Sequence, residues 1–183
     1  SYYANDKKMA EVRYANGLAT GGFKSWWING EKRSEGDYVG GKKNGCIILG
    51  GGSNVLVSDR GVRGVVVLNR AKAVRFHSGD QPSVTVESGV IFSNLANRCA
   101  SKGLAGLEWA ATVPDTIGGA VYGNAGAFGG DMAGNLIWAE LLTENSREKF
   151  TAEQMGYSYR TSILKRGELD AIVLCAELRL ENS

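Results

Sequence analysis

Few side chains in this 183-residue sequence have the types and spacing to do chemistry. His77 is the sole histidine. A Ser-His-Asp triad would have to be built on it, and a histidine-rich metal site is ruled out. It stands in RFHSGDQPS, a polar stretch that reads as an exposed turn. Cys46, Cys99 and Cys175 are far apart and form no CxxC pair. They read as buried free thiols in a reducing compartment. No metal ligand set is expected. What remains is backbone chemistry. Gly50, Gly51 and Gly52, followed by Ser53 and Asn54, offer consecutive N–H donors with little side-chain obstruction. Such a nest can cradle phosphate oxygens without a helix dipole. The same residues also suit a tight turn between two strands, and both readings stand at this level.

The loop is not a Rossmann fingerprint, because Val55 takes the place of the third glycine and a β-like run follows it instead of a helix. A Walker A loop is excluded, since no Gly-Lys-Ser/Thr follows. A second ribbon, VPDTIGGAVYGNAGAFGG (113–130), begins about sixty residues later. Its small residues let backbone run flat against a planar or extended ligand. Thr116, Asn124 and the N–H groups of Ile117, Gly118 and Gly119 are its candidate donors. A close-packed Gly/Ala loop is the plainer alternative. Two such ribbons in one compact chain point to function, since long loops in compact domains are mostly functional.

The surrounding elements must position these ribbons. CIILG (46–50), NVLVS (54–58), GVVVLN (64–69), AVRFHS (73–78) and SVTVESG (83–89) read as strands. VVVL has the unbroken pattern of a strand buried on both faces, and SVTVES alternates like a half-buried one. Residues 91–104 carry apolar positions at helical spacing, with Gly103 as a stop. Asp6 to Tyr14 suggests a helix, SWWIN a short strand, and 106–135 a long loop. LIWAELLTEN (136–145) reads as strand and turn, TAEQMGYSYR (151–160) as the start of a capped short helix, and AIVLCAELRL (171–180) as a final strand. Trp26, Trp27, Trp109 and Trp138 read as core residues. Strands outnumber helices without βαβ alternation, so an α+β fold is expected. Hydrophobic content of 43%, charged content of 22% and a net charge of +2 fit a soluble globular protein and give no reason to expect nucleic acid or an anionic membrane surface as partner. No apolar run is long enough to span a bilayer, and the polar first residues lack the pattern of a signal peptide.

LGGGSNVLVSD, VPDTIGGAVYGNAGAFGGD and YSYRTSILK, in that order, resemble the UDP-N-acetylenolpyruvoylglucosamine reductases. NGLATGGFKSWW is similar to a worn form of a further family motif, so the resemblance runs from about residue 16 to the end. It implies a two-lobed FAD-binding fold of the p-cresol methylhydroxylase type, with residues 1–69 as one lobe and 70–183 as the other. It also implies non-covalent FAD, NADPH as reductant, a UDP-sugar enolpyruvate as substrate, peptidoglycan precursor synthesis and a cytoplasmic location. By the resemblance, Gly50 to Asn54 wrap the FAD pyrophosphate. Thr112, Pro114, Thr116, Ile117, Gly118 and Gly119 run along the flavin, Asn124 to Gly126 continue that wall, and Ile172 with Val173 flanks it. Arg160 matches the active-site arginine. A planar, permanently charged guanidinium suits the negative charge that develops next to the substrate carboxylate. Tyr159 and Ser162 are then supporting contacts, Tyr159 on the substrate side. Lys165 either helps hold substrate phosphate or is a solvated surface lysine.

Two departures stand out. The family has glycine where this chain has Asp115, which puts a carboxylate beside a flavin and an anionic substrate. The family's proton-donor serine motif and late glutamate, both in a C-terminal substrate domain, are not found within these residues. The 183 residues are therefore expected to hold flavin without completing the reduction. The rivals are another FAD-linked oxidase of the same fold, with His77 or a cysteine as covalent attachment point, and a non-catalytic nucleotide-binding domain.

Overall fold

The computed structural model describes residues 10–15, 18–26, 32–39, 42–43, 46–53, 55 and 65–183. The chain divides into two compact units, Ser1–Leu49 with Val55–Leu68, and Gly50–Asn54 with Asn69–Ser183. The glycine ribbon thus groups with the second unit, although both strands that flank it in sequence belong to the first.

In the first unit, β1 (Ala10–Ala15), β2 (Leu18–Trp26), β3 (Lys32–Val39) and β4 (Lys42–Lys43) form an antiparallel sheet in that order. The helix expected over Asp6 to Tyr14 is therefore corrected to a strand from Ala10 onward; Asp6 to Met9 lie outside the described residues. Val12 and Tyr14 suit a pleated surface, and pairing of Val12 with Phe23 and Tyr14 with Ala19 overrides the local helical signal. Strands β5 (Ile47–Leu49) and β6 (Val66–Leu68) pair in parallel, Ile47 opposite Val66. Val66, Val67 and Leu68 are exposed, where their unbroken apolar run predicts burial on both faces. Among the described elements β5 and β6 pack mainly on each other. The strand expected at 54–58 lies outside the described residues, apart from Val55.

The second unit is built on an antiparallel sheet. Its strands in chain order are β7 (Val74–His77), β8 (Ser83–Glu87), β12 (Leu136–Leu142), β13 (Arg147–Thr151) and β14 (Ile172–Arg179). Between β8 and β12 come α1 (Phe92–Ala100), β9 (Leu104–Ala105), a 3₁₀ turn at Glu108–Ala110, α2 (Ile117–Gly123), the β10 (Gly126–Ala127) and β11 (Gly130–Asp131) hairpin, and α3 (Met132–Asn135). β15 (Glu181–Asn182) ends the chain paired with β9. The spatial order is β13-β12-β14-β8-β7.

Alternation sends Val84 and Val86 of β8, Ala139 and Leu141 of β12, and Ala176 and Leu178 of β14 into one core. Phe92, Leu95 and Cys99 of α1 and Ile117 and Val121 of α2 meet them there. Trp109 packs edge-on against Phe92, with ring centroids 5.1 Å apart. Its Nε1–H donates to Asn135 Oδ1 at 2.9 Å, which satisfies its only polar group. Trp138 is half-buried instead, with the Lys149 ammonium 3.6 Å from its ring centroid. Nothing is described for the side chains of Trp26 and Trp27.

Four further expectations are corrected. The 106–135 stretch is not one loop, since it holds two helices, a 3₁₀ turn and a hairpin; its glycines hid these because their propensity for either state is low. The capped helix at 151–160 stops at a single turn. Thr151 N–H donates to Gln154 Oε1 and Gln154 N–H to Thr151 Oγ1, a reciprocal cap. Gly156, at φ +54°, then ends the turn. His77 is not an exposed turn residue. It closes β7 half-buried, with Nε2 2.8 Å from Thr85 Oγ1 on the neighbouring strand. Of the thiols only Cys99 is fully buried, while Cys46 and Cys175 are half-buried. No described helix is long and apolar enough to cross a membrane.

The α1-to-sheet contact should dominate the stability of this unit. Phe92→Ala is expected to lower the unfolding free energy by about 3–5 kcal/mol, whereas Asn94→Ala on the exposed face should stay within about 0.5 kcal/mol. Urea denaturation followed by far-UV circular dichroism reads both. Equal shifts would show that Phe92 is not a core contact.

Candidate functional site

The two ribbons meet at Thr116. This residue is buried, extended (φ −85°, ψ 158°) and caps α2, its Oγ1 accepting from Gly119 N–H at 3.4 Å. Gly50 lies so close to it that a Cβ there would collide with the Thr116 hydroxyl. A Cβ on Gly51 would come 3.5 Å from the Pro114 carbonyl. Gly52 has φ +75° and open space around the missing side chain. Ser53 is exposed. Among the described residues no intramolecular hydrogen bond engages the N–H of Gly51, Gly52 or Ser53. This is an open row of donors on side-chain-poor backbone, the arrangement that takes an anion. Asn54, expected in the same row, lies outside the described residues.

The second ribbon is used differently from the sequence expectation. Ile117 N–H donates to Val90 O at 2.9 Å and Gly118 N–H to Ser88 O at 2.8 Å. Phe92 N–H donates to Asp115 O at 2.8 Å, and Ile91 bridges Thr116. The N–H groups of Ile117, Gly118 and Gly119 are therefore engaged within the protein, which corrects their assignment as donors to a ligand. The ribbon is sewn to residues 88–92 and buttresses the first one. Its glycines serve packing: a Cβ on Gly118 would sit 3.0 Å from Ser88 Cβ, and one on Gly119 would strike the Asp115 carboxylate. Thr112 and Pro114 are exposed beside this seam, and Ile172 is half-buried at the start of β14.

Asp115 turns back on its own chain. Its Oδ1 accepts from the N–H of the next residue, Thr116, at 2.8 Å, beside the first turn of α2. Only Asn124, Phe128 and Arg160 are non-glycine residues with positive φ among the described residues. Asp115, where the resemblance implies glycine, therefore carries no left-handed strain.

Asn124 is a hub and not an open ligand contact. It caps α2 in the left-handed region at φ 47° and is buried. Its Oδ1 accepts from Ala133 N–H at 3.0 Å, and its Nδ2 donates to Ser158 O at 3.1 Å and Asp131 Oδ2 at 3.4 Å. One side chain thus ties together the end of α2, the start of α3 and the turn that carries Arg160. Asn at the end of a helix is a sequence signal for this role. Ser88 and Asn69 gave no such signal, yet Asn69 Nδ2 donates to the buried Ser88 Oγ at 2.8 Å beside the ribbon seam.

Arg160 sits at the tip of a tight turn closed by mutual N–H···O bonds between Ser158 and Thr161. Its φ of 55° costs about 1–2 kcal/mol for a residue with a Cβ; such strain gathers at functional positions. The guanidinium Nη2 donates to Gly126 O at 3.0 Å, at the base of the β10–β11 hairpin. Tyr159 and Phe128, flanking this point, are 91% and 85% exposed, far above ordinary aromatic residues. Ser162 is fully buried, its Oγ donating to Tyr122 O at 2.7 Å. Tyr157 donates its hydroxyl proton to Val121 O, and burial pushes its pKa well above the usual tyrosine range. Lys165 is exposed, and its Nζ donates to Arg160 O at 2.7 Å.

A cavity of about 320 Å³ lies elsewhere, lined among others by Arg75, Glu87, Glu140, Arg147 and Cys175. It shares no residue with the predicted site. Glu140 is held below the usual carboxylate range by its hydrogen bond from Arg147 at 2.7 Å. Burial, then the hydrogen bond to Glu140, pushes the Cys175 thiol up to about 11. Burial does the same for Cys99.

An open glycine ribbon against a capped helix in an α+β unit is an arrangement suited to an anionic, phosphate-bearing ligand. Residues 39–149 match the family described as FAD binding domain, and the chain belongs to that family. Within it, the particular relatives are UDP-N-acetylenolpyruvoylglucosamine reductases. The one from Chloroflexus aggregans is 43% identical over 142 residues, 75% of this chain and 48% of that one. The one from Bacillus subtilis is 46% identical over 136 residues, 73% and 44% of the two chains. The solved reductase from Thermus caldophilus superposes with a TM-score of 0.62 at 32% identity, covering 75% of this chain and 49% of that chain. A solvent-stable cholesterol oxidase, 16% identical with a TM-score of 0.54 over 75% of this chain and 30% of its own, shares the fold. The expected α+β fold of the p-cresol methylhydroxylase type is met. The chain spans about half the length of the curated relatives it matches.

The seam at Thr116 yields a direct test. Gly50→Ala should destabilise by about 1–3 kcal/mol through overpacking, and Gly52→Ala by about 1–2 kcal/mol through left-handed strain alone. Thr116→Ala removes the hydroxyl that a Gly50 Cβ would strike: combined with Gly50→Ala it should cost less than the sum of the two single losses, whereas combined with Gly52→Ala the losses should add, as read by urea midpoints.

Proposed function

We propose that these residues are the flavin-holding part of an NADPH-dependent reductase that converts UDP-N-acetylglucosamine enolpyruvate to UDP-N-acetylmuramate in the cytoplasm. The observation that carries this reading is the unengaged row of N–H donors at Gly51, Gly52 and Ser53 beside a buried helix cap, in a chain of the FAD binding domain family. The ribbon fits the cofactor: a diphosphate needs close backbone approach, and Gly52 has nothing within 4 Å of where its Cβ would be. Gly50, Gly51, Gly52, Ser53 and Asn54 would hold the diphosphate. Thr112, Pro114 and Thr116 would border the flavin, with Gly126 and Ile172 further along. Ile117, Gly118, Gly119 and Asn124 support that wall from behind. FAD bound there would supply hydride transfer from NADPH to the enolpyruvyl carbon.

The chain's own contribution to the chemistry is Arg160. Among the described residues neither Arg160 nor Lys165 has a carboxylate partner, so the turn presents unneutralised positive charge. A guanidinium with a fixed fork suits a carboxylate that gains negative charge as the neighbouring carbon is reduced. Tyr159, beside it and exposed, would contact the substrate. His77 is bonded to Thr85 and Cys99 is buried and protonated, which favours a non-covalent flavin over a covalent one. The proton that completes the reduction would come from residues outside these 183.

The test is an FAD titration of the purified protein. Uptake of one FAD per chain, released on heat denaturation, is the expected result; a colourless protein that takes up none would falsify the reading. Loaded with FAD and given NADPH and the enolpyruvyl substrate, residues 1–183 alone should form no UDP-N-acetylmuramate by chromatography. Product formation would show that the proton donor lies within them.

A further inference from the structure

We propose that Lys165 is a positioning residue for Arg160: it clamps the left-handed turn that presents the guanidinium. This rests on reading Arg160 as the cation that meets the substrate. The turn is not self-sufficient. Its second central residue has φ 55°, a conformation suited to glycine, and carries a long charged side chain instead. Closure by the Ser158–Thr161 pair is loose, at 3.2 and 3.3 Å. The shortest bond to the tip is from Lys165 Nζ to Arg160 O, 2.7 Å, a charge-assisted contact of the stronger kind.

Lys165 is itself held from beneath. Its N–H donates to Ser162 Oγ at 3.2 Å, and that hydroxyl donates to Tyr122 O in the last turn of α2. Ser162 is fully buried and Leu164 nearly so, while Arg166 N–H closes a single helical turn on Ser162 O at 3.0 Å. The lysine therefore projects from an anchored platform onto the strained carbonyl, and the guanidinium completes the circuit at Gly126 O. Because Lys165 contacts only the backbone of Arg160, it sets the direction of the catalytic side chain without replacing its charge.

The test uses the FAD-treated 183-residue chain as wild type, Lys165→Met and Lys165→Arg. A left-handed residue has its amide and α protons unusually close, so Arg160 should show a strong intraresidue NOE between them. Lys165→Met should weaken that NOE several-fold and shift the Arg160 Nε–H resonance, assigned by its loss in Arg160→Lys. Lys165→Arg should retain both signals. The thermal midpoint and the FAD dissociation constant should change little, within about twofold for the latter, which separates a local positioning role from a structural one. An unchanged NOE and Nε–H resonance in Lys165→Met would overturn the proposal. A wild type that takes up no FAD would overturn the flavin reading instead, and the NOE comparison would still decide the clamp.

Discussion

A buried threonine against a glycine organises the candidate site. Thr116 can cap α2 and bridge Ile91 only if the passing chain at Gly50 has no side chain. The contact joins two segments about sixty residues apart, and it places the Gly51–Ser53 donors beside a rigid helix start. Without it the ribbon would be a surface turn with no fixed direction. The requirement is steric, so no increase in hydrophobicity elsewhere could substitute for it.

The glycines of the two ribbons do different work. In the first they keep N–H groups unobstructed. In the second they let α2 lie on Ser88 and let the Asp115 carboxylate fold over the helix start. Once Ile117 and Gly118 donate to Val90 and Ser88, the second ribbon has few donors left for a ligand. Its role is to hold the first in place. This also answers the sequence-level concern about Asp115: the side chain is engaged with its own backbone, at ordinary φ, on a glycine that leaves it room.

Asn124 extends the same logic to the reactive side. A single left-handed cap reaches the Arg160 turn through Ser158, and the hairpin base returns the contact through Gly126. The exposed Phe128 and Tyr159 rise from this braced region. Rigid support beneath exposed polar and aromatic groups is what a binding surface needs, since precision comes from the elements below and not from the groups themselves.

Periodicity in the sequence was enough for α1 and for β7, β8, β12 and β14 of the main sheet, because apolar spacing reports directly which face is buried; the mostly exposed edge strand β13 carries no such spacing and was not legible. Ordered motifs were enough for the family: LGGGSN, the PDTIGG stretch and YSYRTS stand in this order in a chain that matches it. Glycine-rich segments were legible as unusual backbone but not as any particular backbone, so α2 and the β10–β11 hairpin were read as loop. Which N–H groups of the second ribbon are engaged, and that Asn124 is a hub reaching Ser158, were decided by tertiary contacts between residues distant in sequence, while the grip of Lys165 on the Arg160 carbonyl five residues away was decided by the turn between them. Hydrogen-bond partners are set by where the fold brings atoms together, and no local pattern encodes that.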